Sequence, residues 1–340
     1  MVRTHRTFIR QSTMTDSTPL VSIIIPTWNR PLGLERALRS IHGQEYPNLE
    51  VIVINDGGAS PCAICESFDP LLRLRLIDLD VPIGPAGARN LGLINADGPL
   101  LAFLDDDDVF LPSHLSLAVN ALLASPADLV YTGAVVSRTW RDRLPQLPAA
   151  MPLKALPFND SMLLAANFIH TGAVVVRNFA SSDVRFDEDL RYCEDWDLWL
   201  ALRTELGFRM SLVNAICTIY HQVPGADGLV SEANLRSPTP FELARNRIEC
   251  KYPTQDPIAT KMRSWLAEFE SARNQVVAAG WRFDPFLFDR VLWYLWSGVS
   301  CRRSPVIEDV ERFFRRPRPP FMTRLLTDAE TSATLSNSGS

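Results

Sequence analysis

The apolar run Leu100-Leu101-Ala102-Phe103-Leu104 leads directly into four consecutive aspartates, Asp105 to Asp108. Five apolar residues without polar alternation read as a strand covered on both faces. Four carboxylates at the carboxyl end of such a strand repel one another, and packing gains nothing from them. Two explanations stand. One is a divalent cation bound through hard oxygen ligands, often together with a substrate diphosphate. The other is a solvated acidic turn ahead of a helix starting near Pro112. The block alone does not separate them.

The rest of the chain repeats the pattern. Val21-Ser22-Ile23-Ile24-Ile25, ended by Pro26, and Val51-Ile52-Val53-Ile54, ended by Asn55-Asp56-Gly57-Gly58, read as buried strands with turns after them. Leu74 to Leu79 reads as a third, more amphipathic strand, and Leu129-Val130-Tyr131 as a fifth. Leu34, Leu38 and Ile41 recur at helical spacing, Gly84-Pro85-Ala86-Gly87 opens another helix, and Leu115 to Leu123 a third. Alternating strands and helices predict an α/β chain on a mostly parallel sheet. In open parallel sheets, ligands bind beyond the carboxyl ends of the strands. Thr27 and Asn29 after the first strand, Asp56 after the second and Asp105–Asp108 after the fourth all stand there. Three such ends favour a site over solvated turns.

Further on, Pro145–Pro157 reads as a loop, Gly172 to Val176 as a strand, and Cys193 to Leu202 as a helix whose acidic start suits its dipole. Composition shifts near Ser237–Pro240, after which Met262–Ala279 and Phe286–Ser297 read as helices in a region carrying Trp265, Trp281, Trp293 and Trp296. The expected organisation is a tail over residues 1–18, a catalytic domain over 19–236, a helical extension over 237–325 and a second tail over 326–340.

Composition removes several function classes. With 46% hydrophobic and 21% charged residues, the 340-residue chain is of ordinary globular type. A net charge of −5 gives no support for nucleic-acid binding. No uninterrupted apolar stretch is long enough for a membrane span. The basic, polar N-terminus lacks the apolar core of a secretory signal, which points to a cytoplasmic protein. Cys62-x-x-Cys65 has no second pair to complete a zinc site, so reduced cysteines are expected. Gly84, Gly87 and Gly92 do not form the dinucleotide fingerprint, and no phosphate loop, nucleophile elbow or His-Glu-x-x-His helix occurs.

Five motifs in order carry a resemblance: Pro26-Thr27-Trp28-Asn29-Arg30, Ile54-Asn55-Asp56-Gly57, Gly87-Ala88-Arg89-Asn90-Leu91-Gly92, Phe103-Leu104-Asp105-Asp106-Asp107-Asp108 and Glu194-Asp195-Trp196-Asp197-Leu198-Trp199. From about Pro19 to Gly225 the chain resembles the inverting nucleotide-sugar glycosyltransferases of family 2. The C-terminal third carries none of the pattern. The resemblance implies a Rossmann-like, glycosyltransferase A-type fold and a metal-dependent hexosyltransferase-type enzyme using Mn²⁺ or Mg²⁺. The donor would be a nucleotide-sugar, UDP-linked by preference, and the acceptor a hydroxyl of a glycan, a lipid-linked sugar or a small molecule.

It also implies roles. Pro26, Thr27, Asn29 and Asp56 would line the base and ribose pocket, where a carboxylate at Asp56 can accept the uracil imide N–H. Asp56 also suits a turn before Gly57. Arg89 would lie across the nucleotide, although a surface helix arginine is the plainer reading. Asp107 would contact the metal, Asp105 and Asp106 the ribose or the metal's waters, and Asp108 would support or cap. Asp195 would be the catalytic base, with Glu194 orienting the site; a plain acidic helix start is the alternative. One departure concerns a family pattern of Tyr-x-x-His, whose histidine can bind the metal. Here Val223 holds that place and His221 sits two residues earlier, on the same face of a strand, where it is the substitute candidate.

Two rivals remain. A nucleotidyltransferase calls for a glycine- and lysine/arginine-rich triphosphate loop after the first strand, and Pro26-Thr27-Trp28-Asn29-Arg30 is not one. A catalytically degenerate glycosyltransferase-fold binding module is opposed by Asp107 and Asp195 and favoured by Val223. The C-terminal helices, with Trp293-Tyr294-Leu295-Trp296 beside Arg302, Arg303, Arg312, Arg315, Arg316 and Arg318, suit three partners: the catalytic domain, a second subunit, or the inner face of an anionic membrane as a peripheral contact.

Overall fold

Successive residues of a strand point to opposite faces, and here both faces are covered. Ile24, Ile52, Ile54, Leu101 and Phe103 enter one hydrophobic cluster, while Ile23, Ile25, Val51, Val53 and Ala102 enter another. The apolar runs are continuous for that reason. The computed structural model of the chain describes residues 18–144, 151–223, 238–283 and 286–301, with a few positions beyond. Strands β1 (Val21–Thr27), β2 (Leu49–Asn55), β3 (Arg73–Asp78) and β4 (Leu100–Phe103) are parallel neighbours in the order β3-β2-β1-β4. Helix α1 (Pro31–His42) buries Leu34, Leu38 and Ile41 in the second cluster, together with α2 (Cys62–Phe68), while α3 (Gly84–Ile94) covers the first.

Beyond β4 the sheet is mixed. The chain continues through β5 (Val109–Phe110), α4 (His114–Ala124), β6 (Leu129–Ser137), β7 (Leu153–Lys154), α5 (Asp160–Ala165), β8 (Val174–Arg177), α6 (Glu194–Thr204) and β9 (Met210–His221). The sheet order continues β4-β8-β6-β9-β5, with β7 on β6. β8 is inserted antiparallel between β4 and β6, and β9 lies parallel to β6. One edge of the sheet therefore collects the carboxyl ends of β1–β4, β6 and β9 and the amino ends of β5 and β8. The sequence pattern reads only the first three residues of β6 and, of β9, only the end around His221. Much of β9 is only partly buried, so it lacks a continuous apolar run.

Among the described residues the chain then continues through helices α7 (Pro240–Lys251), α8 (Pro257–Ala278) and α9 (Leu287–Ser300). Thr239 and Asp256 cap α7 and α8 by accepting first-turn N–H groups, and each helix has a proline in its first turn. Ile248, Met262, Trp265, Leu266, Phe269, Val291 and Leu295 all enter the first cluster, so sheet and helices share one core. Trp296 donates its indole N–H to the Pro157 carbonyl at 3.1 Å, whereas Trp293 is 43% exposed. Among the described residues no helix is long and apolar enough to cross a membrane. All six cysteines are free. The expected tails, Thr18 apart, and the arginines at 302, 312, 315, 316 and 318 lie outside the described residues.

Candidate active site

The parallel register of β1, β2 and β4 pairs Thr27 with Asn55 and Ile24 with Phe103, which brings their carboxyl ends to one edge. Thr27, the last residue of β1 after Pro26, donates its hydroxyl to Asp106 Oδ2 at 2.8 Å. Arg30 Nη1 spans Asp106 Oδ1 at 3.0 Å and Asp107 Oδ2 at 2.9 Å. Helix α1 approaches so closely that a Cβ at Gly33 would stand 2.7 Å from the Asp106 carbonyl oxygen. Asn29 holds the loop between in the left-handed region, at φ 54°, and accepts the Ala59 N–H at 2.8 Å.

Asp56 follows β2. Its two oxygens accept the N–H groups of Ile83 at 2.6 Å and Gly84 at 2.9 Å, which anchors the start of α3. Within α3, a Cβ at Gly92 would stand 2.4 Å from Ile24, so glycine allows the helix to lie flat on the sheet. Asn90, two residues before it, clamps Phe186 through both main-chain polar groups. Arg89 is not the surface helix arginine of the plainer reading. It is buried and bridges Asp105 at 2.5 Å and Glu194 at 2.7 Å. It thereby joins the acidic block to the start of α6.

Asp105, Asp107 and Asp108 each offer one carboxylate oxygen, and the three lie within 4.8 Å of one another. Oxygen donors at this spacing fit a hard divalent cation. Burial, followed by the fields of Asp108, Asp106 and Asp105, pushes the Asp107 carboxyl well above the usual range, and burial with Asp105 does the same at Asp108. Burial also raises Asp106, against the pull of Arg30. At Asp105 burial is overridden by the Arg89 guanidinium, which holds the carboxyl low. The block carries more negative charge than Arg30 and Arg89 neutralise, and a bound cation would reverse the upward shifts.

Asp195 stands in the first turn of α6, held by three donors. Asn167 Nδ2 and Thr171 Oγ1 each reach Oδ2 at 2.9 Å, and the Trp196 N–H reaches Oδ1 at 2.8 Å. Cys193, just before this helix, is left-handed at φ 60°. Backbone strain of this kind gathers at functional sites. Burial pushes Glu194 up to about 7, with Arg89 opposing. Asp197, in the same motif, points the other way and pairs with Lys251 of α7 at 2.8 Å.

His221 does not present an open nitrogen. Its Nδ1 lies 2.7 Å from the Asp107 carbonyl oxygen, and its Nε2 accepts the Arg141 N–H at 3.1 Å. The main-chain N–H of His221 donates to Asp108 Oδ1 at 2.8 Å. Sequence reasoning missed Asn167, His170 and Thr171. They precede β8, an antiparallel strand, so its amino end reaches the edge where the parallel strands present their carboxyl ends. The available signal was three polar residues within five positions ahead of an apolar run.

A sequence profile, Glycosyl transferase family 2, matches residues 22–181. The chain is 30% identical over 201 residues to the putative colanic acid biosynthesis glycosyl transferase WcaA of Escherichia coli, covering 56% of this chain and 68% of the relative. It is 36% identical over 212 residues to the GalNAc(5)-diNAcBac-PP-undecaprenol beta-1,3-glucosyltransferase of Campylobacter jejuni, covering 60% and 66%. The fold is similar to that of S. aureus TarS 1-349, solved in complex with UDP-GlcNAc, at TM-score 0.53 and 19% identity over 86% of this chain and 83% of that one.

Proposed function

The chain belongs to glycosyl transferase family 2, and from that premise we propose a metal-dependent, inverting transfer of a sugar from a nucleotide-diphosphate donor to an acceptor hydroxyl. The enzyme is of the glycosyltransferase type, and a nucleotide-sugar is its donor class. The observation that carries the mechanism is Asp195. It is a carboxylate fixed by Asn167, Thr171 and the Trp196 N–H, next to Glu194, which the Arg89 bridge ties to the acidic block.

A carboxylate held in this way takes the proton from the acceptor hydroxyl as the oxygen attacks the anomeric carbon opposite the diphosphate. One displacement of this kind inverts the centre and requires no covalent intermediate. Arg89 pairs with both Glu194 and Asp105, which ties the start of α6 to the acidic block. Negative charge developing on the departing diphosphate is what a divalent cation at Asp105, Asp107 and Asp108 would offset. Thr27, Asn29 and Asp56 shape the nucleoside side of the cleft. Asp56 anchors α3, and its remaining lone pairs can still accept a ring N–H such as the uracil imide, a donor that cytosine lacks. A lipid-linked glycan is the favoured acceptor, in keeping with the undecaprenol-linked substrate named for the Campylobacter relative.

A panel of UDP-, GDP- and dTDP-sugars with and without Mn²⁺, read by release of the nucleoside diphosphate, tests the donor and the metal. Turnover should be confined to Mn²⁺ or Mg²⁺ and be fastest with a UDP-sugar. NMR of the product should show the inverted anomeric configuration. Retention, or full turnover in chelator, would overturn the mechanism.

A further inference from the structure

We propose that His170 is a direct ligand of the divalent cation, sharing it with Asp108 at the acidic block; this rests on the metal-dependent reading above. The His170 side chain is only 8% exposed, and its Nε2 stands 3.1 Å from Asp108 Oδ2. That distance suits a hydrogen bond, yet the two atoms are not aligned for one. Both remain buried without a hydrogen-bond partner among the described residues. Two unsatisfied buried polar atoms facing each other are costly if nothing else joins them. Two ligand atoms at right angles on a small cation with bonds of about 2.1 Å stand roughly 3 Å apart, which is the separation found.

The surroundings are built to keep this geometry. The His221 N–H takes Asp108 Oδ1, which leaves Oδ2 turned toward His170. The Tyr220 ring lies against the His170 ring, centroids 4.5 Å apart, and sets its plane. Gly172 borders the pair: a Cβ there would stand 2.9 Å from His170 Nε2 and 3.7 Å from Asp108 Oδ2. The glycine keeps open a space that any other residue would fill. His170 also lies within electrostatic range of Asp105, Asp107 and Asp195, so the ligand comes from the segment that holds the base. His221, with both ring nitrogens engaged, is not its equivalent.

The test uses the full chain with Mn²⁺ and UDP and reads nitrogen coupling to the manganese by pulsed electron paramagnetic resonance. Wild type should show coupling to one imidazole nitrogen, and uniform ¹⁵N-histidine labelling should shift it. His170→Ala should lose the coupling and bind Mn²⁺ roughly tenfold or more weakly. His170→Gln, which keeps the volume, should lose the imidazole coupling while melting near wild type. His221→Ala should retain it. Manganese bound without nitrogen coupling, or coupling that survives in both His170 variants, overturns the inference and leaves the metal-dependent reading intact. Absence of any Mn²⁺ binding to wild type with UDP overturns both.

Discussion

The acidic edge of the sheet and the layer of helices α7–α9 both bury charge, but they treat it differently. In the helical layer, buried Arg245 pairs with Glu270 and lies 3.5 Å from Glu249, while Lys251 pairs with Asp197 at 2.8 Å. Cations and carboxylates there match locally, and the pairs tie helix to helix. At the sheet edge, Asp105 to Asp108, Glu194 and Asp195 face Arg30 and Arg89, and neighbouring carboxylates add to burial in pushing the Asp107 and Asp108 carboxyls up. Matched buried charge braces a fold, and unmatched buried charge prepares for a ligand that is not protein. The substitutions that separate the two regions should therefore divide between function and stability.

The largest effect is expected at Asp195→Asn. Transfer should fall by roughly two to four orders of magnitude, the scale of a positioned general base, while UDP binding stays near wild type by calorimetry. Turnover within a few-fold of wild type would sink the assignment and leave Asp195 as a helix-start residue. Next comes Glu270→Ala, which strands Arg245. At about pH 8 it should lower stability by about 3–5 kcal/mol in urea unfolding, with turnover per folded molecule unchanged. A loss confined to activity would erase the contrast between the regions.

Asp107→Asn should do both things in opposite directions. Metal-dependent UDP binding should weaken by roughly ten- to hundredfold, and the metal-free protein should melt at a higher temperature because a repelling charge is gone. A lower melting temperature would show that the block is not under electrostatic strain. The smallest effect is a slope with pH. Burial raises Glu270 from 4.5 to about 7, with Arg245 opposing. Its contribution to stability is present below pH 4.5 and is lost as pH rises through about 7. Glu270→Gln should flatten that part of the curve, measured as urea midpoints at about pH 5 and about pH 8.

Strands β1, β2 and β4 were legible because they are buried on both faces and because turn residues mark their ends. The Met262–Ala279 helix begins five residues earlier than its apolar spacing suggests, at the Asp256 cap and Pro257. Helix α7 was not read at all, since it buries only Ala244, Arg245 and Ile248 and its apolar stripe is thin. In the site, Asp105–Asp108 and Glu194-Asp195 stand out as clustered charge. Arg89 was legible as a residue of interest but not as a buried bridge. Its partners lie 16 and 105 positions away, and local pattern carries no information about such distances.

The sequence by itself determined that β1, β2, β4 and β8 are buried strands, where the carboxylates cluster and which family they resemble, because each of these is written in neighbouring residues. Only the tertiary structure decided that β8 runs antiparallel and delivers Asn167, His170 and Thr171 to the site. It alone decided that His221 is occupied by backbone groups and that Asp197 braces α7 instead of facing the cleft. Strand direction and side-chain partnership are set by packing between distant segments. A histidine's role depends on which groups have already taken its nitrogens.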